Sequence, residues 1–183
     1  MNDILEIAAA NQQRAREVIR DTDLEAIWRS VGAEANLVGS LRTGLLMKHR
    51  DIDFHIYSSP LRVADSFAAM ARLAENPRIR RIEYGNLLDA QDQCLEWHAW
   101  YADADERLWQ IDMIHMPRGS AWDGYFERVA DRISAVLTDT PDEVKIMGIE
   151  YYQAVLRDGV RTYAEFEAWR AANPVEGILE WMP

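Results

Sequence analysis

Val38-Gly39-Ser40 and, after ten intervening residues, Asp51-Ile52-Asp53-Phe54-His55-Ile56-Tyr57 decide how this chain reads. The second stretch alternates strictly. Ile52, Phe54 and Ile56 point to one side of a strand, and Asp51, Asp53, His55 and Tyr57 to the other. Asp51 and Asp53 therefore share a face, about 7 Å apart along the strand. Carboxylates so placed can hold hard divalent cations through oxygen, and Mg²⁺ commonly uses one or two of them plus substrate phosphates. Gly39 lets backbone approach an anion closely, and Ser40 adds a hydroxyl donor. Two other Asp-x-Asp pairs exist, Asp21/Asp23 and Asp103/Asp105. The first falls at a helix start and the second in a turn, where acids serve local structure.

A third acid belongs with the pair. Trp109-Gln110-Ile111-Asp112-Met113-Ile114 sets one carboxylate in an otherwise apolar strand, facing away from Ile111 and Met113. A buried, unpaired carboxylate is costly. A metal held jointly with Asp51 and Asp53 would relieve that cost.

These residues resemble the signature of the nucleotidyltransferase superfamily typified by DNA polymerase β: apolar-Gly-(Gly/Ser), a spacer, then Asp-apolar-(Asp/Glu)-apolar. Asp112 matches the family's third carboxylate, on a later strand. The resemblance covers about Val38 to Met116. It implies a nucleotidyltransferase fold and transfer of a nucleoside monophosphate from a triphosphate, with release of pyrophosphate. It also implies two Mg²⁺ ions, one held by Asp51 and Asp53 and one shared with Asp112, which could also act as general base. Gly39 and Ser40 would hold the β- and γ-phosphates. The base is open, with ATP as the default.

Nearby residues have two readings each. Arg42, Lys48 and Arg50, between the motif halves, either pair with phosphates or remain solvated loop charges. Lys145 sits in the first turn of a helix, where the dipole disfavours a cation; it could reach a phosphate. His55 shares the acidic face and reads as a hydrogen-bonded sheet histidine, and His49 as a loop residue. Tyr151 or Tyr152 could stack on a base, but core packing of their helix is the simpler reading. The tryptophans, Trp97, Trp100 and Trp109 among them, fill the core and the hairpin face. Cys94 has no visible activating partner.

Working outward, periodic apolar residues predict a helix over Asp3 to Arg20. A second helix is expected from Thr22, capped with Glu25 and stopped by Gly32. A short strand spans Ala35 to Val38. Ser59-Pro60 reads as the cap and first residue of a helix running to about Glu75. Strands follow at Arg80 to Tyr84, Leu95 to Tyr101 and Leu108 to Met116, the last two joined as a hairpin by Asp103-Ala104-Asp105-Glu106. The rest is helical. Thr140-Pro141-Asp142-Glu143 opens a helix to Arg157, and Thr162 with Glu165 opens the last one. The class is α+β (mixed α/β), a mixed sheet of about five strands flanked by helices. Residues 1–118 would form the core domain and 119–183 a helical segment packed on it.

With 183 residues, the chain can bury a core without staples. One cysteine excludes an internal disulfide framework and a Cys-rich zinc site. No stretch reads as a signal peptide or membrane span, so a cytoplasmic protein without membrane partners is expected. The net charge of −11 argues against extended nucleic acid, which needs a basic surface. The acceptor should then be a small molecule or a protein. Within the superfamily this resembles the antibiotic-modifying enzymes and the small enzymes that attach AMP to proteins. Two other readings stay open: a nucleotidyltransferase-like domain that binds a nucleotide or partner without chemistry, and structural acids paired with Arg42 or Arg50. The apolar tail Gly177 to Met182 makes a homodimer possible.

Overall fold

The computed structural model describes residues 2–91, 93–138 and 141–173. Strands β1 (Glu34–Leu37), β2 (Asp51–Ser58), β3 (Ile79–Leu87), β4 (Cys94–Ala102) and β5 (Leu108–Pro117) form one mixed sheet in the order β1-β2-β5-β4-β3. Only β2 and β5 run parallel; the other pairings are antiparallel. The β2 alternation places Ile52, Phe54 and Ile56 in the main core with Ile111, Met113, Trp97, Ala99 and Trp109. Helices α1 (Asn2–Thr22), α2 (Leu24–Arg29) and α4 (Val63–Leu73) cover that face through Val18, Trp28, Met70 and Leu73.

The short α3 (Gly39–Thr43) follows β1 directly. On the acidic face of the sheet, Phe126 and Glu127 of α5 (Tyr125–Thr138) meet His55 and Tyr57. Helices α6 (Asp142–Asp158) and α7 (Tyr163–Ala172) form a second core, in which Ile146, Ile149, Phe166 and Trp169 pack with Ile4 and Ala8 of α1. No helix among the described residues is long and apolar enough to cross a membrane.

Several boundaries differ from the sequence reading. Thr22 ends α1 instead of capping α2: its hydroxyl donates to the Val18 and Ile19 carbonyls at 2.9 and 3.1 Å. Asp23 then turns through a left-handed conformation with no side-chain cap. Ser59 and Pro60, joined by a cis peptide, do not open α4. Arg62 is still extended, so the helix begins at Val63. Pro141 is the N-cap of α6, not its first residue, and makes no side-chain cap bond. Thr140 and the tail Gly177 to Met182 lie outside the described residues. The Thr162–Glu165 capping box is present in both directions.

Candidate active site

The site is assembled by register. The parallel pairing of β2 with β5 sets Asp53 opposite Asp112 and Asp51 opposite Gln110. Asp51, Asp53 and Asp112 each bring a carboxylate oxygen within 4.8 Å of the other two. Neither arginine considered as a structural partner reaches them. Arg42 binds Asp131 and the Leu37 carbonyl, and Arg50 donates to the Leu108 carbonyl. Asp51 Oδ1 is buried and has no hydrogen-bond partner among the described residues. Burial, then the charges of Asp53 and Asp112, pushes the Asp51 carboxyl well above the usual range. Burial and Asp112 push Asp53 up as well. Three converging acids with an orphaned oxygen fit a divalent cation, which would satisfy the oxygen and offset the repulsion.

Gly39 is required where it stands. Its φ is +65°, and a side-chain carbon there would collide with the Asp53 carboxylate, lying 2.7 Å from Asp53 Cγ. Ser40 is buried, and its hydroxyl lies 3.1 Å from His49 Nε2. Tyr152 also bonds to Ser40 and stacks on His49, with ring centroids 5.7 Å apart. Burial of Tyr152, with the charges of Asp53 and Asp51, raises its phenol to about 12. Burial holds His49 near 4, so its ring is neutral.

A cavity of about 300 Å³ opens on Gly39, Asp53, His55, Phe126 and Tyr152. A smaller one of about 220 Å³ adjoins it through His55 and Phe126, reaching Glu96, Ile114 and Trp122. Two larger cavities, of about 590 and 470 Å³, contain none of the three acids. Arg42 and Lys145 line the 470 Å³ cavity, and Lys145 pairs with Asp142 at 3.7 Å. Lys48 is half-buried in the segment before β2. The structure thus gathers Asp51, Asp53, Asp112, Gly39 and Ser40. Arg42, on the same short helix as Gly39 and Ser40, and Lys145 both face the 470 Å³ cavity.

Sequence reasoning missed His98 and Gln110. His98 Nδ1 lies 2.6 Å from Asp112 Oδ1, and Gln110 Nε2 lies 2.9 and 3.2 Å from its two oxygens. It also undervalued His49 and Tyr152. Tyr151, by contrast, is exposed and meets Phe166 edge-on. His55 is a sheet histidine, as read, with Phe126 edge-on to its ring.

No protein-family model and no curated protein sequence matches the chain. Solved structures do. A cytoplasmic RNA terminal U-transferase superposes with a TM-score of 0.58 at 12% identity, over 88% of this chain and 48% of its own. The Cid1 poly(U) polymerase with MgGTP bound gives 0.60 at 14% identity, over 81% and 43%. The non-canonical poly(A) polymerase GLD-2, in complex with GLD-3, gives 0.56 at 10% identity, over 89% and 53%. The chain spans about half the length of these proteins. The likeness is one of fold: the chain shares with these proteins the mixed-sheet nucleotidyltransferase fold.

Proposed function

We propose that the chain is a Mg²⁺-dependent nucleotidyltransferase that moves a nucleoside monophosphate from a triphosphate to a hydroxyl of a small molecule or protein. The observation that carries this reading is the convergence of Asp51, Asp53 and Asp112 around a buried oxygen with no partner. Asp51 and Asp53 would hold the cation that accompanies the triphosphate, and Asp112 would share a second one. Such ions, when bound, lower the pKa of an attacking hydroxyl and stabilise the attacking and leaving oxygens.

The chain's own residues do the rest. Gly39 lets the Asp53 carboxylate lie directly against the backbone of the turn. Ser40 is turned toward His49 and Tyr152, so its hydroxyl anchors the turn and phosphate contact falls to backbone N–H groups. Lys48 has no ion pair among the described residues, which makes it the readiest cation for a phosphate oxygen. Arg42 and Lys145 would have to leave Asp131 and Asp142 first. The acceptor oxygen attacks the α-phosphorus, and a new P–O bond forms as the bond to the β-phosphate oxygen breaks. Pyrophosphate leaves, and the acceptor proton passes to the Asp112 carboxylate. The net charge of −11 favours an acceptor other than extended nucleic acid.

Thermal unfolding with each of ATP, GTP, CTP and UTP, with Mg²⁺ or with chelator, tests this. Ligand at 100 times its dissociation constant adds about 2.7 kcal/mol. At about 2–4 °C per kcal/mol for this length, the expected shift is roughly 5–11 °C. It should require Mg²⁺ and vanish in Asp51→Asn/Asp53→Asn. Pyrophosphate release with candidate acceptors follows. Absence of any shift with all four triphosphates contradicts the reading, and binding without pyrophosphate release from any acceptor leaves a non-catalytic binder.

A further inference from the structure

The three acids are not held alike. Asp53 makes no side-chain hydrogen bond among the described residues, and one oxygen of Asp51 has no partner. Asp112 receives two donors from two different strands' worth of contacts: His98 across the β4–β5 ladder, and Gln110 two positions back on its own strand. A carboxylate that ligates a cation only accepts, so in that role Asp112 Oδ1 takes the hydrogen of His98 Nδ1 across the 2.6 Å contact. Among the described residues Oδ2 keeps a single long donor, Gln110 at 3.2 Å. The two oxygens are thereby distinguished: one is fixed to the scaffold, and the other is left for a cation or an acceptor.

The position of His98 is dictated by the fold. It is the direct cross-strand partner of Asp112 on the acidic face, and Glu96 and Trp100 flank it on that face. Its ring is 29% exposed, so a solvated imidazole would be available to it at little cost. A donor pair of this kind fixes the orientation of a metal-ligating group, and its loss commonly weakens metal binding. Resting on the nucleotidyltransferase reading above, we infer that His98 is a positioning residue for the transfer: it clamps Asp112 Oδ1 so that Oδ2 is presented to the cation held with Asp51 and Asp53.

The test uses Mn²⁺ alone as the probe, titrated into the full chain and followed by electron paramagnetic resonance, so it needs no acceptor. His98→Ala removes the donor. His98→Asn keeps an N–H close to where Nδ1 stood. Glu96→Gln, the next position on the same strand face, is the control for general disturbance of the sheet. The expected result is Mn²⁺ affinity about 10–100-fold weaker in His98→Ala. His98→Asn should recover to within about threefold of wild type, and Glu96→Gln should not change. Melting in chelator, measured alongside, separates a loss of fold from a loss of orientation. A His98→Ala protein that stays folded and binds Mn²⁺ as wild type does overturns the inference, as does His98→Asn losing as much as His98→Ala. Failure of the wild-type chain to bind Mn²⁺ at all would overturn the metal reading itself, and is told apart by that first titration.

Discussion

Asp53 is a residue whose chemistry and stability pull in opposite directions. Burial and the Asp112 charge both disfavour its ionised form. Asp53→Asn removes one of the three crowded acids and keeps the shape. In chelator the variant should gain about 1–2 kcal/mol, roughly 2–8 °C in melting temperature, while losing the Mg²⁺-triphosphate shift and all transfer. A variant that melts lower than wild type in chelator would show that the acid is structural. Gly39 carries the reverse expectation. Gly39→Ala forces a side chain into a left-handed backbone and against the Asp53 carboxylate. It should cost about 1–2 kcal/mol from the backbone conformation alone. Urea midpoints and triphosphate binding should fall together. The grouping of Asp51, Asp53, Asp112 and Gly39 was legible because two acids share the polar face of an alternating strand, a third interrupts an apolar strand, and a glycine stands between strand and acids. His98 did not stand out, since a half-exposed histidine in a strand breaks nothing. Its partner follows only from register. The hairpin pairs Ala102 with Leu108, and counting back along both strands brings His98 to Asp112.

Among elements, the strands were read well and the helix starts poorly. Alternation fixes a strand's faces, whereas a helix start depends on a few dihedral angles that Thr22 and Ser59-Pro60 resemble but do not adopt. The parallel contact of β2 with β5 is the element that makes the site, and no local pattern announces it. Its far end contains another buried group, His115. The imidazole is fully buried, with Nε2 2.7 Å from Ser58 Oγ on β2 and Nδ1 3.1 Å from Ser66 Oγ on α4. Trp97 Nε1 donates to the same Ser66 oxygen at 2.7 Å, and Trp28 lies edge-on to the ring. Burial holds His115 near 4, against an ordinary 6.5, with Asp65 only partly opposing. The unfolded chain thus binds this proton more readily. The stability from a neutral His115 is full above pH 6.5 and is lost as pH falls toward 4. The whole loss is about 3 kcal/mol, of which about 1 kcal/mol falls between pH 7 and 5.5. Urea unfolding at those two pH values should show the difference, and His115→Gln should flatten it by that amount. An unchanged pH dependence in the variant would mean that His115 is not the group responsible.

At the scale of the whole molecule, two cores share one helix. Ala15 and Val18 of α1 belong to the core beneath the sheet, and Ile4 and Ala8, two to three turns earlier, to the core of α6 and α7. Leu45 and Met47, from the segment between Gly39 and Asp51, join that second core. The same stretch therefore carries the phosphate-side turn at one end and a packing seam with α6 at the other, and Tyr152 reaches from α6 to Ser40. Among the described residues the α6–α7 core draws Ile4, Ala8, Leu45 and Met47 from the first 118 residues, so we propose that the two parts unfold as one cooperative unit. Ile4→Ala tests this, because Ile4 is fully buried and far from the three acids along the chain. Truncation of such a side chain costs about 2–5 kcal/mol. In a Trp169→Phe background, which removes the described tryptophan of the second core, the near-ultraviolet tryptophan signal reports the sheet core, where Trp28, Trp97 and Trp109 are buried, and the far-ultraviolet signal reports the helices. Both should move to lower urea together and by the same amount, and triphosphate with Mg²⁺ should raise both midpoints again. If the helical signal alone moved, leaving the tryptophan transition and triphosphate binding where they were, α6 and α7 would be a separate unit and the link from Met47 through Tyr152 to the site would carry no energy.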